Sequence, residues 1–390
     1  MAAALTQQAL RQAARAKFGR AGQMLFTRDG LEQASSDATA RHGAARFAGA
    51  GRIADLCCGI GASLAALARV ASEPVIAVDR ELTSLRYARH NAAVHGGTGV
   101  AAVCADVRDL DVVGVDAVFI DPARRPGSAA GAAKDGDGGG RRLLGGRSEP
   151  PLQWCAQLAD RVSRVGIKTA PGLDRALIPA GWEAEFVAVG RELKEALLWS
   201  PALATAPRRA TVLAPPAADD PAGPVPAADP AGQARAGQTL TGAGDGPQGA
   251  GGVPVAAPGE FLLDPNPAVT RAGLVGELAR LTGGWQIDPM IAFLSSERPF
   301  GTPFGRGLRV LYSAPWQEKA FARRLRELGI GSADIRRRGL AGDVALIHRR
   351  LGLRGPGSAV LVLTRVSGRP WGLICTAEDA GEGGDGGRPR

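Results

Sequence analysis

The 390-residue sequence predicts an α/β protein, an open and mainly parallel sheet covered by helices, followed across a linker by a small α+β domain. Three observations carry that prediction. Apolar, strand-like runs at 52–57, 74–79, 100–104 and 115–120 alternate with helical patterns, as parallel β-α-β units require. The first run enters Cys58-Gly-Ile-Gly61 and then ASLAALARV, a strand–Gly-x-Gly–helix turn in which backbone can lie against a ligand. Finally, Asp55, Asp79, Asp106 and Asp121 stand in or just after these runs, near the edge where open α/β sheets bind their ligands.

Composition sets the bounds. The length suits two domains, and an apolar content of 45% is that of a folded chain. The formal charge of +9 would suit a nucleic acid, but 42 arginines against five lysines point to coding bias as much as to phosphate binding. The five cysteines (57, 58, 104, 155 and 375) contain no C-x-x-C pair, so neither a disulfide framework nor a metal site is expected. No apolar run reaches the length of a membrane span. The Arg-rich, acid-free start mimics an organellar transit peptide; an ordinary amphipathic helix and a cytoplasmic protein are the reading adopted.

Residues 1–50 read as an N-terminal helical segment. Leu5, Ala9, Leu10, Ala13 and Ala16 fall at helical spacing, and Ser35 or Ser36 is a natural N-cap for a helix running to about Phe47. In the 51–64 stretch Leu64 replaces the third glycine of G-x-G-x-x-G, so a nicotinamide-binding fingerprint is incomplete. Asp55, four residues before Gly59, would be an expensive buried charge without a partner. The pattern D-L-x-C-G-x-G resembles the first motif of class I S-adenosylmethionine-dependent methyltransferases. That resemblance implies a Rossmann-like, seven-stranded methyltransferase sheet over 51–214 and S-adenosyl-L-methionine as cofactor. It also implies that Asp55, Cys57, Gly59 and Gly61 form the loop receiving the cofactor's methionine part.

Asp79 lies 18 residues beyond Gly61, where a carboxylate can accept hydrogen bonds from ribose hydroxyls, with Arg80 beside it. Residues 81–94 form the next helix. By the same resemblance Asp106, with Val107, receives the adenine amino group, an acid that the nicotinamide reading does not require.

The run Val115–Ile120 ends in Asp121-Pro-Ala-Arg-Arg125, which resembles the family's fourth motif, [D/N]-P-P-[Y/F]. In amino-methylating members the acid and the following carbonyl orient the target amine, which would make Asp121 and Pro122 the catalytic pair. Ala123 replaces the second proline and Arg124 the aromatic residue. Arg124 can stack by its guanidinium plane or hold a phosphate. The variant DPARR closely resembles the THUMP-like methyltransferases. LFTRDGLEQASS also resembles their leading segment and, more distantly, that of cap trimethylguanosine synthases, which implies a place for Gln33 beside the pocket. A 5-methyluridine type of mechanism would need a nucleophilic cysteine after the fifth strand, and Val165–Asp174, the strand and its turn, has none.

Residues 126–148 read as a Gly-rich insertion, a lid or a dispensable loop, and 150–162 as a helix. Lys168 can meet a phosphate or a cofactor carboxylate, or simply snorkel to the surface. Runs at 183–189, 193–200 and 210–214 complete the sheet, and the turn Glu192–Glu195 receives no role. Residues 215–258 read as a Pro/Gly/Ala linker. From 259 to 377 come a helix over 268–282, a strand near 307–313, helices at 316–328 and 344–351, and a terminal hairpin; 378–390 is a flexible tail. The layout and the IRRRG segment resemble a THUMP-like domain, with Arg336, Arg337 and Arg338 as RNA contacts or a solvated charged face. The expected activity is methylation of RNA, a tRNA or rRNA base. The alternatives are a protein or small-molecule substrate, or a non-catalytic RNA-binding protein that keeps the fold.

Overall fold

The computed structural model describes residues 2–97, 99–124, 148–215, 237–243, 252–340 and 342–378, which fall into two compact units divided between Ala243 and Gly252. No helix among these residues is long and apolar enough to cross a membrane.

The first unit opens with α1 (Ala2–Ala14), α2 (Arg28–Gln33) and α3 (Asp37–Ala45). Thr27 and Ser36 cap the last two, their hydroxyls accepting from the Gly30 and Thr39 amides. Then β1 (Ile53–Leu56), α4 (Ala62–Val70), β2 (Val75–Asp79), α5 (Leu82–Val94), β3 (Val100–Cys104) and β4 (Ala117–Ile120) make the alternating half. A two-residue ladder follows, β5 (Ala123–Arg124) against β6 (Ser148–Glu149). It brings the chain back beside the acidic motif; residues 125–147, and with them most of the expected insertion, lie outside the described residues. Next come α6 (Leu152–Gln157), β7 (Arg164–Thr169), β8 (Glu183–Val189), β9 (Glu192–Trp199), β10 (Arg208–Leu213) and β11 (Gln238–Gly242).

The sheet order is β11-β10-β8-β9-β7-β4-β1-β2-β3. Strands β1, β2, β3, β4 and β7 run parallel, and β9 inserts antiparallel between β7 and β8. The expected 210–214 run is β10, and β11 extends the edge beyond it, giving nine strands where seven were expected. β1 and β4 are buried along their whole length, as central parallel strands covered on both faces must be. Phe47 packs edge-on against Phe119 and Trp199 and closes the core beneath α3.

Strand β11 corrects the expectation of an uninterrupted linker over 215–258. Gln-Thr-Leu-Thr-Gly carries little burial signal, yet it pairs with β10 from Gly242 opposite Arg208 to Gln238 opposite Val212. Residues 252–258 also belong to the second unit, where Val253 is buried and Val255 bridges Gln286.

That unit contains β12 (Phe261–Pro265), α7 (Pro267–Ala272), α8 (Val275–Thr282), β13 (Trp285–Gln286), β14 (Leu294–Ser296) and β15 (Gly305–Pro315). They are followed by α9 (Glu318–Glu327), β16 (Ile330–Arg337), α10 (Val344–Leu351), β17 (Gly357–Val366) and β18 (Arg369–Ala377). Its sheet runs β13-β14-β12-β15-β18-β17-β16. The single helix expected over 268–282 is two, because Gly273 turns left-handed (φ 73°) and ends α7. The short strands β13 and β14 had no readable alternation.

A buried polar layer holds α3 to β8–β10. Glu183, fully buried, accepts from both terminal nitrogens of Arg46 (2.9 and 3.1 Å), from Arg209 Nε (2.6 Å) and from the Thr205 amide (2.6 Å). Burial pushes its acidity the other way, but these donors outweigh it and hold its carboxyl below the usual range. Glu185 beside it takes His42, Thr211 and Trp199, and despite full burial is held down at about 2. Glu183→Ala removes the shared partner of two half-buried guanidinium groups, so it should cost about 2–4 kcal/mol in urea denaturation at neutral pH. Because the folded Glu183 is the stronger acid, that contribution should fade as pH falls below the ordinary carboxyl range.

Candidate active site

The register of the parallel strands brings the acids together. Leu56 lies opposite both Val78 and Ile120, and Asp79 opposite Cys104, so Cys57, Asp79, Cys104 and Asp121 end their strands at one level. Lys168 joins them, since Ile120 pairs with Ile167. Backbone bonds carry the register past the strand ends: Asp121 N–H donates to Leu56 O (3.1 Å) and Cys58 N–H to Val78 O (3.0 Å).

The turn after β1 is tight. Cys57, Gly59 and Gly61 all have positive φ (58°, 53° and 83°). A Cβ on Gly61 would meet the backbone of Ala88 at 2.7 Å, so this glycine lets α4 close on α5. Around Gly59 there is open space where a side chain would project. Asp79 spans the turn: Oδ2 accepts from the Gly59 amide and Oδ1 from the Glu81 amide, both at 2.9 Å. The Cys57 thiol is pushed up, by burial first and Asp79 next, and stays a neutral thiol.

Asp55 is fully buried, and neither of its oxygens has a hydrogen-bond partner among the described residues. Burial, then the negative charges of Asp121 and Asp79, raises its pKa well above the ordinary value. A carboxyl in this state calls for a cation. A sulfonium nucleoside with an ammonium group fits the residues present: positive charge for Asp55, a backbone approach at Gly59, and hydroxyls for the remaining lone pairs of Asp79. Arg80 is exposed beside Asp79, and its carbonyl accepts from Cys104 Sγ (3.5 Å).

Asp106, beyond β3, is engaged by its neighbour. Arg108 donates from its backbone, Nε and a terminal nitrogen (3.0, 2.9 and 2.6 Å), which pulls the acid down to about 2. Arg108 also reaches Glu149 on β6 (2.8 Å), tying this loop to the strand that pairs with β5. Val107 is buried beneath it. Arg124 sits in β5 with its backbone paired to Ser148.

Lys168 is not a snorkelling surface lysine. It is buried, 2.6 Å from Asp121 Oδ2 and 3.1 Å from the Gln33 carbonyl. Gln33 therefore reaches the site by its backbone, its side chain being exposed. The N-terminal segment packs over the glycine turn: a Cβ on Gly30 would strike Ile60 at 2.5 Å. Buried Asn91 on α5 ties Leu25 (2.8 and 2.9 Å) to the Ile60 carbonyl (2.8 Å).

Three residues here escaped sequence reasoning. Asn91 looked like an ordinary helical polar residue. Ser35 was read only as a possible cap; Ser36 caps α3, and Ser35 Oγ donates to Glu195 Oε2 (2.7 Å). Glu195 itself is buried at the start of β9. The Glu195–Leu197 spacing puts an acid on a core-facing row, but a bulge between Leu193 and Glu195 breaks the longer alternation that would have made it legible. A cavity of about 10 Å³, room for about one water, adjoins Ser35, Thr39, Ser63 and Glu195.

In the second unit Arg336 pairs with Asp334 (3.0 Å), Arg337 donates to the Gly342 carbonyl, and Arg338 binds buried Asp264 (2.8 Å) over the Phe293 ring. The triplet is thus tied into its own fold, Arg338 most firmly.

Asp55 yields a sign-definite expectation for the cofactor-free protein. It holds its proton more tightly folded than unfolded, so its contribution is complete at low pH and is lost as pH rises through the folded pKa. Urea denaturation should find wild type losing stability relative to Asp55→Asn as pH rises above the ordinary carboxyl value of about 4. Parallel profiles would contradict the burial assigned to Asp55.

A family model described as a methyltransferase domain matches residues 53–123, and one described as THUMP domain-like matches 305–377, the β15–β18 half of the second unit. Two Mycobacterium tuberculosis proteins, from strains CDC 1551 and H37Rv, are 35% identical over 353 residues, covering 88% of this chain and 85% of each relative. Both are described as uncharacterized S-adenosylmethionine-dependent methyltransferases. A solved Porphyromonas gingivalis W83 protein, provisionally described as a methyltransferase, shares the fold at TM-score 0.68 and 18% identity, over 91% of this chain and 84% of that one. With its acids gathered at one sheet edge, its glycine turn and these relatives, the chain belongs to the S-adenosylmethionine-dependent methyltransferases.

Proposed function

We propose that this methyltransferase acts on RNA, at an amino nitrogen of a base presented to Asp121 and Pro122. The observation that carries the reading is Asp121-Pro122 at the carboxyl end of β4, level with Asp79 and next to the buried Asp55. The cofactor supplies a methyl group on a sulfonium centre, already a good leaving arrangement, so positioning accounts for most of the rate. Lys168 occupies Asp121 Oδ2, which leaves Oδ1 and the Pro122 carbonyl to accept from the two N–H groups of an amine. Those two bonds aim the nitrogen lone pair along the line of displacement. Asp55, Asp79, Asp106 and the Gly59 turn hold the cofactor end of that line, and Arg124 stands next to the acceptor.

RNA is favoured over a protein or small-molecule acceptor by the THUMP-like half of the second unit and its exposed arginines. Arg349 and Arg350 stand exposed in the last turn of α10, and Arg336 is exposed on β16. Guanidinium groups so placed suit a phosphate backbone.

Radiolabelled methyl transfer to total RNA should fall by about 100-fold or more in Asp121→Ala, the scale of a lost alignment. Equal transfer by both proteins would discard the acceptor assignment. For RNA binding by the full chain, the Arg349→Ala/Arg350→Ala double variant should flatten the slope of log affinity against log salt by about 1–2. An unaltered slope would favour a substrate other than RNA.

A further inference from the structure

The buried Glu195 has no part in cofactor or acceptor contact as described so far, and nothing about a class of methyl acceptors explains it. Its carboxylate belongs to β9, whose Leu197 lies opposite Lys168 of β7, and Glu195 shares the Leu197 side of the strand. Lys168 and Glu195 therefore emerge on one face of the sheet, diagonal neighbours across the β7–β9 pair. On the other flank of Lys168 stands Asp121, at 2.6 Å. The row Asp121, Lys168, Glu195 crosses three adjacent strands, β4, β7 and β9, as an acid–base–acid sequence with Lys168 and Glu195 buried. Burial opposes the charge of Glu195 most strongly; Lys168 and the Ser35 hydroxyl favour it, Asp121 opposes it and His42 favours it.

We propose that Glu195 is a positioning residue of the acceptor site: it and Asp121 hold the Lys168 ammonium between them, so that Lys168 fixes one oxygen of Asp121 and leaves the other for the acceptor. This rests on the methyl-transfer reading above. Ser35 orients Glu195 from one side, and the Gln33 carbonyl takes a second proton of the ammonium, so residues 33–35 belong to the acceptor apparatus although they need not touch the acceptor. An ammonium has three donors in tetrahedral directions and no fixed plane. With only Asp121 and the Gln33 carbonyl to hold it, the ammonium would keep one charged neighbour and more freedom to turn, and Asp121 with it. Carboxylates on two sides remove that freedom.

The test uses the scarcity of lysine. The chain has five, so competitive acetylation with trace acetic anhydride, read by mass spectrometry, follows Lys168 individually in the full-length protein. Only the neutral amine reacts, and removing a neighbouring negative charge makes that form commoner. Near pH 9, Glu195→Gln should label Lys168 about threefold faster or more, relative to the same lysine in wild type, with Asp121→Asn acting in the same direction as a reference. Ser35→Ala, which keeps the charge and removes the hydroxyl, should give a smaller change of the same sign and serves should Glu195→Gln fail to fold. In methyl transfer to total RNA, Glu195→Gln should lower kcat about tenfold or more while calorimetric affinity for the cofactor stays within about twofold.

Unaltered Lys168 labelling in both Glu195→Gln and Ser35→Ala overturns the proposal. So does altered labelling with kcat unchanged. A wild type that transfers no methyl group to RNA, yet shows the labelling pattern, defeats the RNA reading and leaves the Glu195–Lys168–Asp121 arrangement supported.

Discussion

Everything at this site depends on how like charges are kept at one edge of a sheet. Parallel strands in register deliver Asp79 and Asp121 to neighbouring tips, with Asp55 two residues below them in β1, and four carboxyls counting Asp106 would repel one another if left bare. Each is handled differently. Asp79 is spent on two backbone amides, Asp106 is paired with Arg108, and Asp121 is paired with Lys168. Asp55 is left inside the protein with no hydrogen-bond donor among the described residues; burial and its acidic neighbours outweigh the charge of Lys168, and its proton affinity rises in consequence.

The N-terminal segment is built into this arrangement. Its apolar side chains Phe18, Met24, Phe26 and Leu31 form a cluster with Ile60 of the glycine turn. Lys17 reaches the carbonyls of Leu31, Glu32 and Ala34, closing the end of α2 just where Gln33 meets Lys168. Helix α3 then crosses the sheet over Glu183, Glu185 and Glu195, tied to them by Arg46, His42 and the preceding Ser35. A segment whose fixed points lie on both the glycine turn and Lys168 cannot shift without moving both.

Much of this was legible in the sequence, for a definite reason. The β-α-β half and its acids are local features: a fully apolar strand, a glycine turn and an acid at a set offset each leave a mark within a dozen residues. Partnerships across strands leave none. Lys168 and Glu195 lie 27 residues apart in the chain, and only the antiparallel insertion of β9 beside β7 makes them neighbours. Strand β11 was hidden because an edge strand needs no apolar face and takes its stability from the ladder it joins. Helices α7 and α8 were merged because Gly273 inside an apolar pattern reads as a weak point rather than a stop. Arg338 read as a surface charge, although burial of Asp264 gives it a structural partner.

The second unit shows how a familiar half is completed. The THUMP domain-like match ends at β15–β18, yet β12 pairs along β15 from Phe261 opposite Arg309 to Pro265 opposite Gly305. Strand β15 is therefore interior to a seven-stranded sheet instead of being an open edge. Residues 252–304 supply that cover, with Phe293, Ile287 and Leu262 entering the same apolar cluster as Leu308 and Leu373. An uncovered β15 would offer a row of free N–H and C=O groups to any passing strand. Covering it on one side leaves β16 at the other edge, where the exposed charges of Asp334 and Arg336 guard against strand addition.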